Sequence, residues 1–426
     1  MRFHLHSFGC RVNQADGDGL ADALAAVGHV AVADPAAADL IILNSCTVTH
    51  RGDADLRQTA RRLHRDHPSA RIAVIGCYAE RAPQDAAALP GVSLVAGTGD
   101  PARLVAALAE GHAVPSAVGT VPAVAMDVPV AWRGHTRPMV KVQDGCNAAC
   151  AYCIVPAVRG AERSAPPDAV AARVAALAAA GAREVILTGI HLGRYGHTLA
   201  PPLSLAGLLE RLLRETPVGR VRLSSVEPLE FDAALLALIG REPRLAPHFH
   251  VPLQSGSAAV LACMGRPYAP DQYLAVVRRL AALRPLAALG ADVIAGFPGE
   301  TEAEFQETAA LVAASPLTYL HVFPFSPRPG TRAAAMRGRL PEREVARRTR
   351  ILRDIGQASR RRHLEACLGR ALPALVLRSG GRFAGSQALT ENYITLALAE
   401  ALPPNTAVDV RIHAIDARGQ ASGILV

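Results

Sequence analysis

Three cysteines fall close together in Gly145-Cys146-Asn147-Ala148-Ala149-Cys150-Ala151-Tyr152-Cys153, and no other feature restricts the chain so tightly. A C-x3-C-x2-C run on a loop after a strand lets three thiolates wrap one face of an iron–sulfur cube. One iron is then left without a protein ligand. A structural zinc site would want a fourth nearby Cys or His, which this loop lacks, although His135 could be recruited from upstream. The remaining cysteines are Cys10, Cys46, Cys77, Cys263 and Cys367. Taken singly, each reads as a core thiol.

The arrangement of apolar runs groups three of them. Phe3–Phe8, Leu40–Leu43 and Ile72–Ile75 read as strands, followed by helical stretches near Asp16–Val27, Asp53–His64 and Pro83–Leu89. Alternating strands and helices predict a parallel sheet with right-handed crossovers. Cys10, Cys46 and Cys77 each follow one of those strands. In a parallel sheet they share the carboxyl edge, where three side chains can meet. Such a trio could hold a second cluster, again with an open iron. Cys263 and Cys367 fit neither set and read as free structural thiols.

With 426 residues the chain needs two to four domains, and with 50% hydrophobic residues it can bury sizeable cores. No run reaches the ~18 apolar residues of a membrane span, and Met1–His6 alternates like a strand rather than a secretory leader. A reducing, cytoplasmic compartment follows, in which cysteines bind metal or catalyse. The expected organisation is α/β. Residues 1–110 form a parallel α/β sheet domain, 111–131 a linker, 132–365 a partial β/α barrel and 366–426 a small all-β barrel. In the central part, Glu184–Thr188, Arg220–Leu223, His248–Leu253, Ala291–Ile294 and Tyr319–Phe323 read as strands, with helices including Pro167–Ala180, Leu205–Arg214 and Pro270–Leu283. Short strand-like runs at Ala371–Leu377, Ile394–Leu398, Ala407–His413 and Gly423–Val426 mark the last part.

Charge is distributed unevenly. Residues 1–130 hold 10 basic and 13 acidic side chains, whereas Arg337–Arg362 alone holds 10 arginines and 3 acids. Such a stripe is the expected footprint of a nucleic-acid backbone, or else a solvated helix face. The arginine preference itself says little, since Lys141 is the only lysine in the chain.

The cysteine spacing resembles that of the radical S-adenosylmethionine enzymes, in which the cofactor's amino and carboxylate groups occupy the open iron. The resemblance implies cofactor contacts at successive strand ends. These are Cys146 and Tyr152 in the loop, Thr188 and Gly189 for the methionine amino group, Ser225 and Glu227 for ribose, Gln254 at the next strand end, and Gly296 towards adenine. Over its whole length the chain is similar to the methylthiotransferases, through Gly9-Cys10-Arg11-Val12-Asn13-Gln14, Val140–Cys146, Leu187–His191, Arg222–Pro228 and His321–Ser326. It departs from the family's pattern at Ala148-Ala149 and Ala157. The family implies an auxiliary-cluster domain, a radical core and a C-terminal TRAM-type barrel. It implies two 4Fe-4S clusters and S-adenosylmethionine, with Cys10, Cys46, Cys77, Cys146, Cys150 and Cys153 as ligands.

Within the family the motifs sit nearest the enzymes acting on threonylcarbamoyladenosine in the tRNA anticodon loop. A 5′-deoxyadenosyl radical would take hydrogen from C2, and the auxiliary cluster would supply the sulfur. The alternatives are isopentenyladenosine tRNA, a ribosomal-protein aspartate, or a non-catalytic iron–sulfur RNA-binding or electron-transfer protein. A flavodoxin or ferredoxin donor, a monomeric state and no membrane association complete the expectation. Arg347, Arg348 and Arg350 are expected to contact RNA phosphate. Removal of residues 368–426 is expected to weaken tRNA binding while leaving the core's cofactor chemistry intact.

Overall fold

The computed structural model describes residues 1–98, 105–106, 136–378 and 385–426. The stretch 111–131 read as a linker, and His135, lie outside the described residues.

The N-terminal sheet has the order β2-β1-β3-β4-β5, formed by β1 (Arg2–Ser7), β2 (Val30–Ala31), β3 (Leu40–Ser45), β4 (Arg71–Gly76) and β5 (Val92–Ala96). All its pairs are parallel. Every residue of β3 is buried, as a central strand covered on both faces requires. On one face the helix Arg11–Ala26 brings Leu20 and Leu24 onto Phe3, Leu40 and Ile42. On the other the helix His50–Asp66 brings Leu56 and Leu63 onto Ile41, Leu43 and Val74. The first helix begins at Arg11, earlier than the sequence indicated, because Cys10 is its extended N-cap.

The central sheet is built from β6 (Met139–Asp144), β7 (Arg163–Ser164), β8 (Glu184–Gly189), β9 (Arg220–Leu223), β10 (His248–His250), β11 (Ala288–Ala295) and β12 (Tyr319–Pro324). Strands β6, β8 and β9 pair in parallel, with β7 antiparallel at the edge, and β10-β11-β12 form a parallel group. Parallel bridges Val221↔Leu245 and Ser225↔His250 join the two groups into an incomplete barrel. Helices including Pro167–Ala179, Leu205–Glu215 and Pro270–Leu283 cover its outside. The run expected as a strand through Leu253 ends at His250. There Leu253 and Gln254 both turn their N–H groups onto the Asp292 carbonyl, and Gln254 adopts φ 65°.

The last part closes as a barrel in the order β13-β14-β15-β17-β16, from β13 (Ala371–Val376), β14 (Ser386–Thr390), β15 (Thr395–Leu398), β16 (Ala407–Ile415) and β17 (Ala421–Leu425). Its apolar core is shared with Leu364 and Cys367 of the long helix Glu342–Cys367. It is therefore not separable in the way the sequence indicated. Asn392 donates to the Leu286 carbonyl at 2.9 Å, and the Tyr393 ring lies 4.0 Å from the His248 ring beneath the central barrel. Deleting residues 368–426 would strip that floor as well as a surface.

The N-terminal sheet is locked onto the barrel by buried charge. Arg328 and Arg81 both pair with Asp53 and donate to the Thr47 hydroxyl. Arg173 pairs with Asp22 at 2.8 Å. Lys141 is held between Asp16 and Asp144.

Candidate metal centres

Gly145 (φ 67°) opens the loop after β6, and a Cβ there would meet the Ala161 carbonyl oxygen at 1.9 Å. Gln143 ties this loop to the end of β8. Its amide donates to the carbonyls of Asp144 (3.0 Å) and Gly145 (2.8 Å) and accepts from the His191 N–H at 2.7 Å. Gly189 permits the crossing, since a Cβ would stand 3.0 Å from Gln143.

Donors then surround the sulfurs. Cys146 Sγ accepts from the Ala148 N–H at 3.3 Å and lies 3.5 Å from His191 Nδ1. Cys150 Sγ accepts from Arg266 at 3.2 Å, and the other arm of Arg266 holds Glu227. Burial pushes the Cys153 thiol up to about 12, so a bare thiol there stays neutral, whereas a bound metal displaces its proton. Burial works against a charge on His191, yet Cys146 and Glu230 on either side push it up to about 10. A cavity of about 420 Å³ opens onto Cys150, His191, Glu227, Glu230, Arg266 and Tyr268.

The second trio is assembled by topology. Cys10, Cys46 and Cys77 follow the adjacent strands β1, β3 and β4 at the carboxyl edge. Gly9 (φ 81°) passes so close to Cys46 that a Cβ would lie 2.4 Å from its Sγ. Gly76 (φ 88°) likewise has no room for a Cβ beside Asn44 and the Ser45 carbonyl. Burial pushes Cys77 up to about 12; the nearby Cys10 and Cys46 thiols add to the rise while Arg159 opposes it. Arg159, itself fully buried, donates to Cys77 Sγ at 3.3 Å and pairs with Asp16 (2.8 Å) and Asp144 (3.1 Å). Burial alone would raise the Asp144 carboxyl, but Lys141, Arg159 and Arg163 hold it well below the usual range.

The donor chemistry of each trio, three thiols with an arginine N–H on one of the sulfurs, suits a cluster. Among the described residues, the one set of three donor atoms lying within 4.8 Å of one another is His250, Asp292 and His321. Neither cysteine trio draws that tight, as a single tetrahedral ion with metal–sulfur bonds of about 2.3 Å would demand. N–H donors aimed at sulfur are the usual tuning of cluster thiolates.

The remaining expected cofactor residues spread along the strand ends. Glu227 lines the cavity with Cys150. Thr188 is buried on β8 beside Gly189. Ser225 Oγ lies 2.7 Å from His250 Nδ1, and His250 and His321 flank the Asp292 carboxylate at 3.1 and 3.2 Å. Gln254 is anchored through its backbone between Asp292 and Ile294. Tyr152 packs with Met264 and Phe297 in an apolar cluster. Gly296 is not brought to the Cys150 cavity. It faces Val345, donates to Glu300 at 2.9 Å, and borders another cavity of about 570 Å³ with Arg339, Arg350 and Arg353. Arg159, Arg266, His191 and Glu230 were not anticipated as site residues. Only the fold brings Arg159, Arg266 and His191 to sulfur, and Glu230 holds His191 there.

The basic stripe also needs correction. Arg348 is buried and pairs with Glu300, Glu302 and Glu344, and Arg347 pairs with Glu302 and Glu344. Of the three named arginines only Arg350 is exposed. Periodicity could not distinguish an arginine facing solvent from one facing the Glu300–Glu304 turn. Cys263 is exposed, and Cys367 is buried, accepting from Asn392 at 3.4 Å.

Residues 2–97 match a family described as uncharacterized protein family UPF0004, and residues 140–312 match the Radical SAM superfamily. The chain is 37% identical over 402 residues to the threonylcarbamoyladenosine tRNA methylthiotransferase MtaB of Aquifex aeolicus, covering 93% of this chain and 96% of that protein. It is 34% identical to the tRNA-2-methylthio-N(6)-dimethylallyladenosine synthase of Sphingopyxis alaskensis, covering 89% and 87%. In fold it is similar to the radical S-adenosylmethionine methyltransferase TsrM of Kitasatospora setae, with TM-score 0.56 and 15% identity over 76% of this chain and 72% of that one. No described helix is long and apolar enough to cross a membrane.

Proposed function

This chain belongs to the radical S-adenosylmethionine methylthiotransferase family, and from that membership we propose that it adds a methylthio group to C2 of N6-threonylcarbamoyladenosine at position 37 of tRNA. The observation that carries the reading is the convergence of two separate cysteine trios, each with an arginine donating to sulfur.

Cys146, Cys150 and Cys153 would hold one 4Fe-4S cluster and Cys10, Cys46 and Cys77 a second. When bound, these groups and S-adenosylmethionine supply radical generation and sulfur, chemistry beyond side-chain acids and bases. The chain supplies the rest. Arg266 fixes Cys150 relative to Glu227, and the His191–Glu230 pair fixes Cys146. Arg159 fixes Cys77 and joins the sheet edge to Asp144 beside the loop. Thr188, Gly189, Ser225, Glu227, Gln254 and Tyr152 would meet the cofactor at the barrel mouth. A monomer in the cytoplasm, fed by a flavodoxin or ferredoxin, completes the reading.

Mass spectrometry of tRNA nucleosides from cells with and without the gene tests it. The expected result is loss of 2-methylthio-N6-threonylcarbamoyladenosine, restored by the intact chain and not by Cys10→Ala or Cys150→Ala. Loss of the isopentenyl nucleoside instead, or an unchanged profile, would reject the assigned substrate.

A further inference from the structure

The threonylcarbamoyl arm of the proposed substrate ends in a carboxylate, and a carboxylate taken out of water needs a cation. We propose that Arg11 receives it, and that this residue reads the arm against neutral substituents on N6. The inference rests on the threonylcarbamoyladenosine reading above.

Arg11 directly follows Cys10, so its side chain leaves the backbone beside the sulfur-bearing sheet edge. It donates to the Tyr393 hydroxyl at 3.2 Å, and its guanidinium lies 6.0 Å from the centre of that ring. Tyr393 belongs to the floor of the barrel lumen, its ring tilted against those of His248 at 4.0 Å and Tyr319 at 6.1 Å, the first residues of β10 and β12. The guanidinium of Arg222 lies 5.4 Å from the same ring.

Charge at this floor is unbalanced. The fully buried arginines Arg159, Arg222, Arg328 and Arg348 each pair with a carboxylate. Arg11 instead has a neutral hydroxyl as its polar partner among the described residues. Arg222, Arg220 and Arg137 share one carboxylate, Glu184, at 2.7, 3.4 and 3.9 Å, and Glu391 pairs with Arg220 at 3.8 Å. With Arg11, four guanidinium groups thus stand near two acids. Arg222 Nη1 is buried without a hydrogen-bond partner, although the side chain is 0% exposed. An unmet buried donor marks a place for an acceptor. His248 adds no charge, because burial and Arg222 hold it neutral.

The distance also fits. β10 is three residues long, so His248 at the floor and His250 at the mouth are about 7 Å apart at roughly 3.3 Å per residue. The arm from N6 to its carboxylate oxygen has five bonds and spans about 6 Å when extended. An adenine held at the mouth would therefore lower its carboxylate onto the floor, near Arg11. An alkenyl arm would leave that cation unpaired, which a site built for an ionic partner penalises.

The test uses the anaerobically reconstituted full chain and two anticodon stem-loops, one with the threonylcarbamoyl arm and one with the same arm as its neutral carboxamide. Product formation gives kcat/KM, and fluorescence anisotropy gives Kd without turnover. The intact protein is expected to prefer the carboxylate on the order of 10- to 100-fold by both readouts. Arg11→Gln should bring the two stem-loops to within about threefold by weakening the carboxylate form alone, and Arg11→Lys should restore most of the preference. Should Arg11→Gln turn over neither stem-loop, anisotropy still reads the preference. A preference that survives Arg11→Gln, or an equal loss on both stem-loops, would overturn the assignment. If the intact protein modifies neither stem-loop, the substrate reading beneath it fails instead.

Discussion

The two cysteine trios offer the same three donor atoms and are built by opposite means. Cys146, Cys150 and Cys153 occupy one loop, held by Gln143 and by donors from β8 and from the turn at Arg266. Cys10, Cys46 and Cys77 come from three strand ends, and only the parallel order β1-β3-β4 makes them neighbours. A loop can be tuned by local contacts, whereas a trio spread over a sheet edge depends on the whole domain being seated. That difference explains why the dispersed trio is backed by a fully buried arginine and four carboxylate clamps, at Asp16, Asp22, Asp53 and Asp144.

Substituting the cysteines should break the comparison most completely. Any of the six changed to alanine should reduce methylthio product to background. Only Cys146→Ala, Cys150→Ala or Cys153→Ala should also abolish 5′-deoxyadenosine release, read by liquid chromatography. Equal release from Cys46→Ala and Cys150→Ala would erase the division of roles.

Arg159→Met comes next. It strips a buried cation from Asp144 and Asp16 together, and breaking such a pair costs about 3–5 kcal/mol. Denaturant unfolding should show that loss, with iron depleted from the dispersed trio. Arg266→Met should unfold near the intact midpoint and show its defect as lower 5′-deoxyadenosine yield, since Glu227 faces an open cavity. If the two variants lose stability equally, the loop is as dependent on the fold as the sheet edge.

The smallest effect concerns RNA contact. Arg350→Ala should reduce the slope of log affinity against log salt by about one unit. Arg348→Ala should instead lower stability with the slope unchanged, because its guanidinium is committed to Glu300. A gel-shift salt titration separates them.

How much of this was legible beforehand follows the same divide. The 146–153 loop could be read from spacing alone, and the dispersed trio from strand order, because both depend on rules that act along the chain. The glycines beside the cysteines were visible too, and Gly9 and Gly76 prove to be there for want of room. Arg159 and Arg266 carried no signal, since a single arginine gains its role only from what the fold places against it. The same blindness misassigned Arg347 and Arg348. It also hid Tyr393, which the turn between β14 and β15 sets beside the rings of His248 and Tyr319.

Iron content tests the central claim most directly. Anaerobically reconstituted protein should bind about eight iron atoms per chain, and Cys46→Ala and Cys150→Ala about four each. A wild-type value near four, or a Cys46→Ala variant that keeps all eight, would contradict two clusters held by two trios.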